Sequence, residues 1–315
     1  MKIYKIGIIG CGGIAQKMAA TLEKMKGVER YAVASRNQEK AEAFANKWGF
    51  TKAYGSYEEL ASDPEVDLIY IATPHAMHYD NAHMCIEKGK PVLCEKAFTA
   101  NARQAEDLLA FAKEKGVFIT EAIWTRYMPL SLKIQELLKE GVIGTPYTLS
   151  ANLSYPISNK ERIIRPELAG GALLDIGVYT LNFAAMAFGS DITETHSVCQ
   201  KTQTGVDTQE SITLQSSIYA KSDRMGVISG DKGHLIVENI NCPESVRVVD
   251  ENYKTIAVYH APEQISGYEY QVYASIEAIE KGWLESPYMP HAETLRIMKQ
   301  MDNLRKEWGV IYPCD

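Results

Sequence analysis

The chain has 315 residues, of which 46% are hydrophobic and 23% charged, and its formal net charge is -7. This composition is typical of a folded globular protein, and the length suits two domains of about 150 residues each. The negative charge argues against a surface for nucleic-acid phosphates, and no apolar run approaches the ~18 residues of a membrane span. The six cysteines form no C-x-x-C pair. We therefore expect reduced cysteines in a cytoplasmic protein without nucleic-acid or membrane partners.

The first 122 residues alternate short apolar runs with amphipathic helical patterns. A short continuous apolar run is typical of a strand buried on both faces of a parallel sheet. Alternation of such strands with helices predicts a doubly wound α/β fold. The predicted strands are Ile3–Ile9, Tyr31–Ala34, Leu68–Ala72, Val92–Cys94 and Val117–Thr120, and the predicted helices are Ile14–Met25, Glu39–Trp48, a short helix opened by a capping box of Ser56 and Glu59, His78–Lys88 and Ala102–Lys115.

The pattern changes after Glu121, where alternation of apolar and polar residues replaces the continuous runs. Such alternation is typical of half-buried strands. We therefore predict a boundary near Ile123, between residues 1–122 and a second domain over residues 123–315, built on an open, mainly antiparallel sheet with helices on one face. Its predicted strands are 147–153, 212–218, Met225–Ile228, Leu235–Val237, Val246–Val249 and Thr255–Tyr259, and its predicted helices are Pro129–Lys139, Leu173–Phe188, Tyr268–Lys281 and Ala292–Trp308.

A glycine-rich turn with the pattern G-x-G-x-x-A joins the first predicted strand to the first helix. Gly10 permits a tight turn, Gly12 lets a pyrophosphate approach the backbone, and the small Ala15 lets the helix pack closely on the strand. The helix N-terminus then offers unpaired N–H groups to the phosphates. A glycine turn without a ligand is the alternative, but the strand–turn–helix context favours a dinucleotide. The candidate cofactor-binding residues here are Gly10, Gly12, Gly13, Ile14 and Ala15.

The second predicted strand ends in Ser35-Arg36-Asn37, where an NAD-binding chain carries Asp or Glu for the ribose hydroxyls. The missing acid leaves room for an additional phosphate, which Arg36 can bind with its planar pair of donors. Ser35 and Asn37 could add hydrogen bonds. The alternative is that Arg36 only faces solvent from an exposed loop. We favour NADP as the cofactor, with NAD possible.

Two more segments follow predicted strands at their carboxyl ends, where ligands bind in open α/β sheets. Glu95 and Lys96 follow the strand at Val92–Cys94 and point toward the cofactor crevice. Lys96 either takes part in proton transfer or is a solvated charge, and the residues alone do not decide.

The segment Thr73–His78 follows the strand at Leu68–Ala72. Its histidines complete no familiar metal-ligand spacing, so we expect no metal site. We expect cofactor contacts instead, from Thr73, Pro74, His75 and His78.

A glycine pair opens the segment Gly170–Asn182. If the chain is helical from Leu173, then Asp175, Tyr179 and Asn182 share one face at i, i+4 and i+7. An acid and a phenol in one row beside a glycine pair suggest the wall of a site. The exposed polar face of an amphipathic helix is equally compatible with this spacing.

Three of these landmarks occur in the order found in the glucose–fructose oxidoreductase/inositol dehydrogenase family (Gfo/Idh/MocA). They are G-x-G-x-x-A at Gly10–Ala15, the pair Glu95-Lys96, and G-G-x-L-x-D-x-G at Gly170–Gly177. The chain resembles this family over essentially its whole length. It is most similar to the dimeric dihydrodiol dehydrogenase branch, through the strings Glu121–Arg126, Gly170–Tyr179 and Glu285-Ser286-Pro287.

The resemblance implies a Rossmann dinucleotide-binding domain over residues 1–122 and a substrate-binding domain over residues 123–315, whose large sheet commonly forms a homodimer interface in the family. It also implies NADP-linked hydride transfer to or from a secondary alcohol. Lys96 matches the family's catalytic lysine and Asp175 its paired aspartate. Tyr179 stands where most members carry histidine and this branch carries tyrosine. Expected substrate contacts are Trp124, Arg126, Tyr155 and Arg162.

Two positions depart from the family pattern. Ala97 replaces the usual proline after the lysine, which leaves the lysine loop less rigid. Asn182 replaces an acid often found after the histidine, which removes one charge from the pocket and counts against the inositol-type members.

Hydride transfer from a carbinol leaves a hydroxyl proton that a nearby base must take. We expect Tyr179 to be this acid/base, with Lys96 hydrogen-bonded to the substrate oxygen and Asp175 orienting the lysine. The opposite allocation, with Lys96 as base, stays open because the pair can titrate as one unit.

Three functions remain in play at this point. They are oxidation of trans-dihydrodiols or aldose sugars, dehydrogenation of another sugar or a cyclitol, and NADP sensing without catalysis. The joint presence of Lys96, Asp175 and Tyr179 disfavours a sensor, because a sensor needs the cofactor site but not the proton chemistry.

Overall fold

The structure is a computed structural model that describes residues 2–189, 194–212 and 214–315, without the side chain of Ile212. It contains two compact units. The first comprises residues 1–122 and 265–298, and the second comprises residues 123–264 and 299–315. The division after Ala122 coincides with the predicted boundary, but the assignment of all of 123–315 to the second domain differs from the structure. Residues 265–298 return to the first unit, where the Ile119 amide donates to Leu284 O at 3.1 Å. The prediction failed here because the hydrophobic periodicity of a helix does not show which domain the helix packs against.

The first unit contains a six-stranded parallel sheet in the order β3-β2-β1-β4-β5-β6. The order reverses beside β1, so the carboxyl ends of β1 and β4 flank the crevice where ligands bind in this kind of sheet. The strands are β1 (Tyr4–Ile9), β2 (Val28–Ala34), β3 (Lys52–Tyr54), β4 (Leu68–Ile71), β5 (Val92–Glu95) and β6 (Ile119–Ala122).

The helices of the first 122 residues lie close to the predicted ones. Ser56 Oγ accepts the Glu59 amide at 3.2 Å and begins the third helix, as the capping box predicts. Sequence analysis missed β3, a three-residue strand too short to show a period. The helices are α1 (Gly13–Leu22), α2 (Gln38–Trp48), α3 (Tyr57–Ser62), α4 (His78–Glu87) and α5 (Ala102–Lys115).

The second unit contains an eight-stranded sheet in the order β14-β13-β12-β11-β7-β10-β9-β8. Among the strands of the described residues, only the β10–β7 pair of this sheet is parallel, so the sheet is mainly antiparallel as predicted. The strands β8 and β9 were not predicted, because the predicted strand 212–218 covers β10 and only the last residue of β9. The strands are β7 (Pro146–Ser154), β8 (Val198–Lys201), β9 (Asp207–Ile212), β10 (Leu214–Ser217), β11 (Gly226–Gly230), β12 (Gly233–Glu238), β13 (Ser245–Asp250) and β14 (Thr255–His260).

The helices of residues 123–264 are α6 (Pro129–Lys139), the single turn α7 (Glu161–Ile164) and α8 (Val178–Phe188). The predicted helix Leu173–Phe188 begins differently from the prediction. Leu173–Gly177 forms a π-helical turn, and the α-helix starts only at Val178.

Two further helices follow the second sheet in the chain. They are α9 (Glu269–Glu280), which belongs to the first unit, and α10 (His291–Trp308), which begins in the first unit and ends in the second.

The helical segment Pro166–Phe188 is 23 residues long and apolar enough to span a membrane by length and composition. The expectation that no segment approaches this length was therefore wrong. Within the window that meets the test, 72% of the residues are buried inside the protein. Burial of that extent is what a core helix shows, because its apolar faces pack against the rest of the fold.

Candidate active site

The glycine turn after β1 presents backbone donors at the start of α1. The Gln16 amide is the first to bond within the helix, to Gly12 O at 3.1 Å, so the preceding amides have no acceptor inside it. Among the described residues, no side chain caps this end. A Cβ at Gly13 would meet no described atom within 4 Å, and one at Gly12 would meet only Ala72 O, at 3.9 Å. The turn therefore fits a pyrophosphate, which would accept from these N–H groups.

Two cations lie beside the carboxyl end of β2. The Arg36 guanidinium is within hydrogen-bonding reach of Tyr57, and the charge of Lys40 acts on Cys11 in the glycine turn. Ser35 is buried, and its hydroxyl accepts the Asn37 amide at 3.4 Å. Sequence analysis missed Lys40, although its position one turn into α2 could have suggested it. These groups fit an anion beyond the ribose position.

Asn37 has a structural role that sequence analysis did not predict. Its side chain accepts the Lys40 amide at 2.8 Å and caps the N-terminus of α2. An Asn before the first turn of a helix is typical of a cap. The cap uses Oδ1 as an acceptor, so a hydrogen bond from the Asn37 amide nitrogen to a phosphate stays a prediction.

The loops after β4 and β5 are joined by a buried histidine. His78 Nε2 lies 2.8 Å from Thr73 O, and His78 Nδ1 lies 2.8 Å from Ala97 O, next to Lys96. Burial lowers the pKa of His78, and the charge of Lys96 adds to this effect. Asn81 donates to Thr73 Oγ1 at 3.1 Å. The Lys96 loop is thus tied to the Thr73 loop, although Ala97 stands where proline was expected.

The other predicted cofactor residues lie around this histidine. His75 is buried, and its ring meets the His78 ring edge to face at a centroid distance of 5.7 Å. Pro74 precedes the short helical turn that carries His75. Glu95, at the end of β5, is buried and accepts a hydrogen bond from the Tyr70 hydroxyl.

In the second unit, Asp175 lies in the π-helical turn and is buried. Arg162 donates to both of its carboxylate oxygens, at 2.7 and 3.2 Å. This bidentate pair fixes the orientation of the carboxylate. The α-helical spacing that placed Asp175 and Tyr179 on one face does not apply to a π turn, whose hydrogen bonds run from i to i+5. Sequence analysis predicted both Arg162 and Asp175, but not this contact.

Tyr179 lies in a hydrogen-bonded group of aromatic and amide side chains. The Trp124 indole N–H lies 3.2 Å from Tyr179 Oη and 3.2 Å from Asn241 Oδ1. The Asn241 amide donates to Tyr155 Oη at 3.2 Å. Asn241 therefore joins Trp124 and Tyr155, and Trp124 in turn contacts Tyr179. Sequence analysis missed Asn241 because no local motif marks it.

A second contact joins Arg126 to Asn182, which lies on α8. Arg126 Nε donates to Asn182 Oδ1 at 2.7 Å, and Asn182 donates to Val178 O at 2.8 Å. Both side chains are buried. The neutral Asn182 amide therefore accepts a hydrogen bond from the Arg126 guanidinium, where an acid would have formed an ion pair.

Among the described residues, no group of three or more His, Cys, Asp or Glu side chains could hold a metal ion. The described contacts instead gather donors for a dinucleotide in the first unit, and an acid, a phenol and aromatic rings in the second. This combination suits redox chemistry on a hydroxyl-bearing small molecule.

Comparisons with known proteins agree with this geometry. Residues 4–122 match the oxidoreductase family with an NAD-binding Rossmann fold, and residues 131–234 match the GFO/IDH/MocA C-terminal domain. The trans-1,2-dihydrobenzene-1,2-diol dehydrogenase of Xenopus tropicalis is 34% identical over 330 residues, covering 98% of this chain and 99% of the relative. The human enzyme of that name is 34% identical over 330 residues, covering 98% of each chain.

Solved structures share the fold. A 3-ketoreductase from Actinomadura kijaniata, solved with NADP and TDP-benzene, is 24% identical with a TM-score of 0.86, covering 96% of this chain and 97% of that one. A levoglucosan dehydrogenase solved with NADH and levoglucosan is 17% identical with a TM-score of 0.83, covering 97% of each chain. The predicted fold class, the predicted enzyme class and a nicotinamide dinucleotide cofactor are confirmed. The chain belongs to the GFO/IDH/MocA family of oxidoreductases.

Proposed function

We propose that this oxidoreductase transfers hydride between NADP and a secondary alcohol of a trans-dihydrodiol or an aldose sugar. One observation carries the proposal: the Trp124 indole donates toward the Tyr179 oxygen at 3.2 Å. Because Tyr179 Oη accepts this bond, the bond does not use the phenol proton of Tyr179. The same donor would stabilise the phenolate, because a hydrogen bond to the charged form favours that form.

The preference for NADP rests on the carboxyl end of β2. No acid is present there for ribose hydroxyls, whereas Arg36 and Lys40 supply positive charge beside the glycine turn. A guanidinium suits a 2′-phosphate because its donors match two phosphate oxygens.

The substrate class rests on the groups around Tyr179. Trp124 and Tyr155 supply ring faces for the apolar side of a cyclic diol or sugar, and Asn241 holds both rings. The relatives named as trans-dihydrodiol dehydrogenases make a cyclic diol the first substrate to assay.

A bound nicotinamide would accept the hydride that leaves the carbinol carbon. In this proposal Tyr179 acts as the phenolate in the oxidation, and the hydroxyl proton passes to its oxygen as the carbonyl forms. Lys96 contributes the positive charge that stabilises the developing oxyanion, and Arg162 holds the Asp175 carboxylate in a fixed orientation. The reverse reaction returns the proton to the carbonyl oxygen.

Replacing the two proton-transfer candidates tests the proposal. Tyr179→Phe and Lys96→Met are each expected to lower kcat by about 10² to 10⁴, the usual contribution of a positioned acid or base. The assay follows NADPH absorbance against a panel of trans-dihydrodiols, pentoses and hexoses. Tyr147→Phe, an exposed phenol on β7, is the matched control and should keep full turnover.

Near-normal turnover of either catalytic variant would overturn the proposed mechanism. Cofactor binding without turnover on any member of the panel, or of a cyclitol series, would favour an NADP sensor.

We also propose a homodimer through the second sheet, in a cytoplasmic protein. Exposed apolar side chains on the edge strand β14, Ile256 and Val258, support an interface. Sedimentation velocity should give a dimer mass, and Ile256→Lys should shift it toward the monomer.

A further inference from the structure

Glycines close to both ends of the Asp175 turn lie against two carboxyl groups of β9. A Cβ at Gly171, whose φ is +118°, would stand 2.1 Å from Asp207 Oδ1. A Cβ at Gly177 would stand 2.6 Å from Glu210 Oε1. Any larger residue at either position would push these carboxyl groups away. The turn therefore needs both glycines in order to touch this pair.

A bulge in β9 brings the two carboxyl groups to the same side of the sheet. Lys201 pairs with Asp207 and Gln200 with Gln209, so Thr208 is the additional residue. Side chains three positions apart in a regular strand point to opposite faces. The inserted residue turns the side chains of Asp207 and Glu210 to the same face of the sheet. Bulges beside functional sites often redirect a side chain in this way.

Both carboxyl groups are buried and only partly bonded. Asp207 Oδ2 accepts the Leu173 amide of the turn at 2.5 Å, and Ser216 Oγ donates to Glu210 Oε1. Asp207 Oδ1 and Glu210 Oε2 are buried without a hydrogen-bond partner among the described residues. Asp207 is 0% exposed and Glu210 is 3% exposed.

The charged and titratable groups around the pair come from several elements of the same unit. Arg305 of α10 places its positive charge toward Asp207, and Asp207 acts electrostatically on Tyr312 in the C-terminal segment. Asp207 and Glu210 both act electrostatically on Cys199 of β8. Tyr312 also donates to Gly170 O at 2.6 Å. The C-terminal segment therefore supports the same turn from another direction.

The groups around the pair favour a negative charge on Asp207 and a proton on Glu210. Burial raises the pKa of Asp207, but the amides of Leu173 and Ala172 and the charge of Arg305 oppose this rise. Burial and the neighbouring Asp207 charge raise the pKa of Glu210 well above its ordinary value. Two adjacent buried carboxyl groups do not both ionise readily, because like charges repel strongly there.

We propose that Asp207 and Glu210 are positioning residues, a carboxyl pair that carries one proton and holds the turn Gly171–Gly177 so that Asp175 has its catalytic orientation. The inference rests on the proposed dehydrogenase function. Asp207 supplies the anion that fixes the turn amides, and protonated Glu210 fills the space under Gly177 without a second charge.

Glutamine and alanine at position 210 separate the proton from the space that the side chain fills. Glu210→Gln is a neutral isostere and should keep kcat near the wild-type value at pH 7. It should also remove the loss of kcat that deprotonation of Glu210 causes as the pH rises. Glu210→Ala should lower kcat, with the KM for NADP unchanged. Infrared spectroscopy should show a protonated carboxyl band that is absent from Glu210→Gln.

Asp207→Asn removes the anion and keeps an acceptor for the Leu173 amide. We expect kcat to fall about 10- to 100-fold, the usual loss when a hydrogen bond loses its charged partner. Asp231→Asn is the matched control. Asp231 Oδ1 accepts the Thr145 amide at 2.7 Å beside Gly144 in the same unit, but supports no candidate catalytic residue.

Wild-type kcat in Asp207→Asn, together with an inactive Asp175→Asn, would overturn the positioning role and leave the proposed function intact. Active Tyr179→Phe and Lys96→Met variants would overturn the proposed function instead. If Asp207→Asn does not fold, the two Glu210 variants decide. Equal kcat in Glu210→Gln and Glu210→Ala, or a missing carboxyl band in the wild type, would refute the inference.

Discussion

Two glycine-rich turns in this chain begin helical segments, and they use their backbone donors differently. Gly10–Ala15 leaves the first N–H groups of α1 without a described side-chain cap. Gly170–Gly177 gives its Leu173 amide to Asp207 at 2.5 Å. The first turn is thus prepared for an anion from outside the protein, and the second already holds an anion of the protein. The same kind of donor, a backbone N–H group, therefore suits ligand binding in the first turn and the positioning of a side chain in the second.

The glycines of the two turns also differ in what surrounds them. Gly13 borders open space, whereas Gly171 lies against a buried carboxylate. A glycine beside open space keeps room for a ligand, and a glycine beside a buried side chain keeps room for a tertiary contact. This difference leads to predictions of decreasing size.

The largest expected effect is the difference in stability between two variants, each of which adds one methyl group to one of the turns. Gly171→Ala combines a backbone conformation that disfavours side chains with a Cβ 2.1 Å from Asp207, so we expect a loss of about 3 kcal/mol or more in unfolding free energy. Gly13→Ala should change it by less than about 0.5 kcal/mol, as at an unconstrained site. Urea denaturation measures both. Equal losses would remove the distinction between the turns.

A smaller effect tests the external anion of the first turn. Arg36→Ala should weaken NADPH binding about 10- to 100-fold, since a charge-assisted contact is lost, and should leave NADH binding nearly unchanged. Fluorescence titration of both nucleotides measures the ratio. Arg30→Ala is the control, because Arg30 lies on β2 and pairs with Glu23 at 2.9 Å. An unchanged ratio in Arg36→Ala would contradict the assignment of NADP.

The smallest effect is an opposite pH dependence of the two units. Burial alone would raise the pKa of Asp63, but hydrogen bonds from Lys52 and Tyr54 outweigh it and lower the pKa from 3.8 to about 2. Asp63 therefore contributes stability above pH ~4 that is lost as the pH falls toward 2. Glu210 has a raised pKa, so its contribution is complete below its ordinary value of 4.5 and is lost as the pH rises.

Hydrogen exchange of each unit across the pH range measures these two slopes. Asp63→Asn should remove the loss of stability that the first unit shows below pH ~4, and Glu210→Gln should reduce the loss that the second unit shows as the pH rises above 4.5. The same slope in both units would show that the two carboxyl groups do not differ in the way described.

Much of the first unit could be predicted because its signals are local. Continuous apolar runs identified five of the six strands, and the Ser56 capping box was found at the expected residues. The glycine turn was recognised because strand, turn and helix are adjacent in the chain. The strand β3 was missed because three half-buried residues carry no period.

The second unit was predicted less completely because its contacts join distant segments. Asp175 and Tyr179 were found from a motif, but their partners Arg162 and Trp124 lie 13 and 55 residues away in the chain. Asn241 was missed because a single Asn in a loop has no distinctive pattern.

Most of the strands and helices, the glycine turn and the identity of the chemical groups follow from the sequence, because they depend on neighbours within a few residues. Only the tertiary structure decided the π-helical turn, the return of residues 265–298 to the first unit and the contact of Asp207 with the Leu173 amide. These features depend on segments that meet only when the chain folds, since burial and hydrogen bonding between them have no counterpart in local sequence.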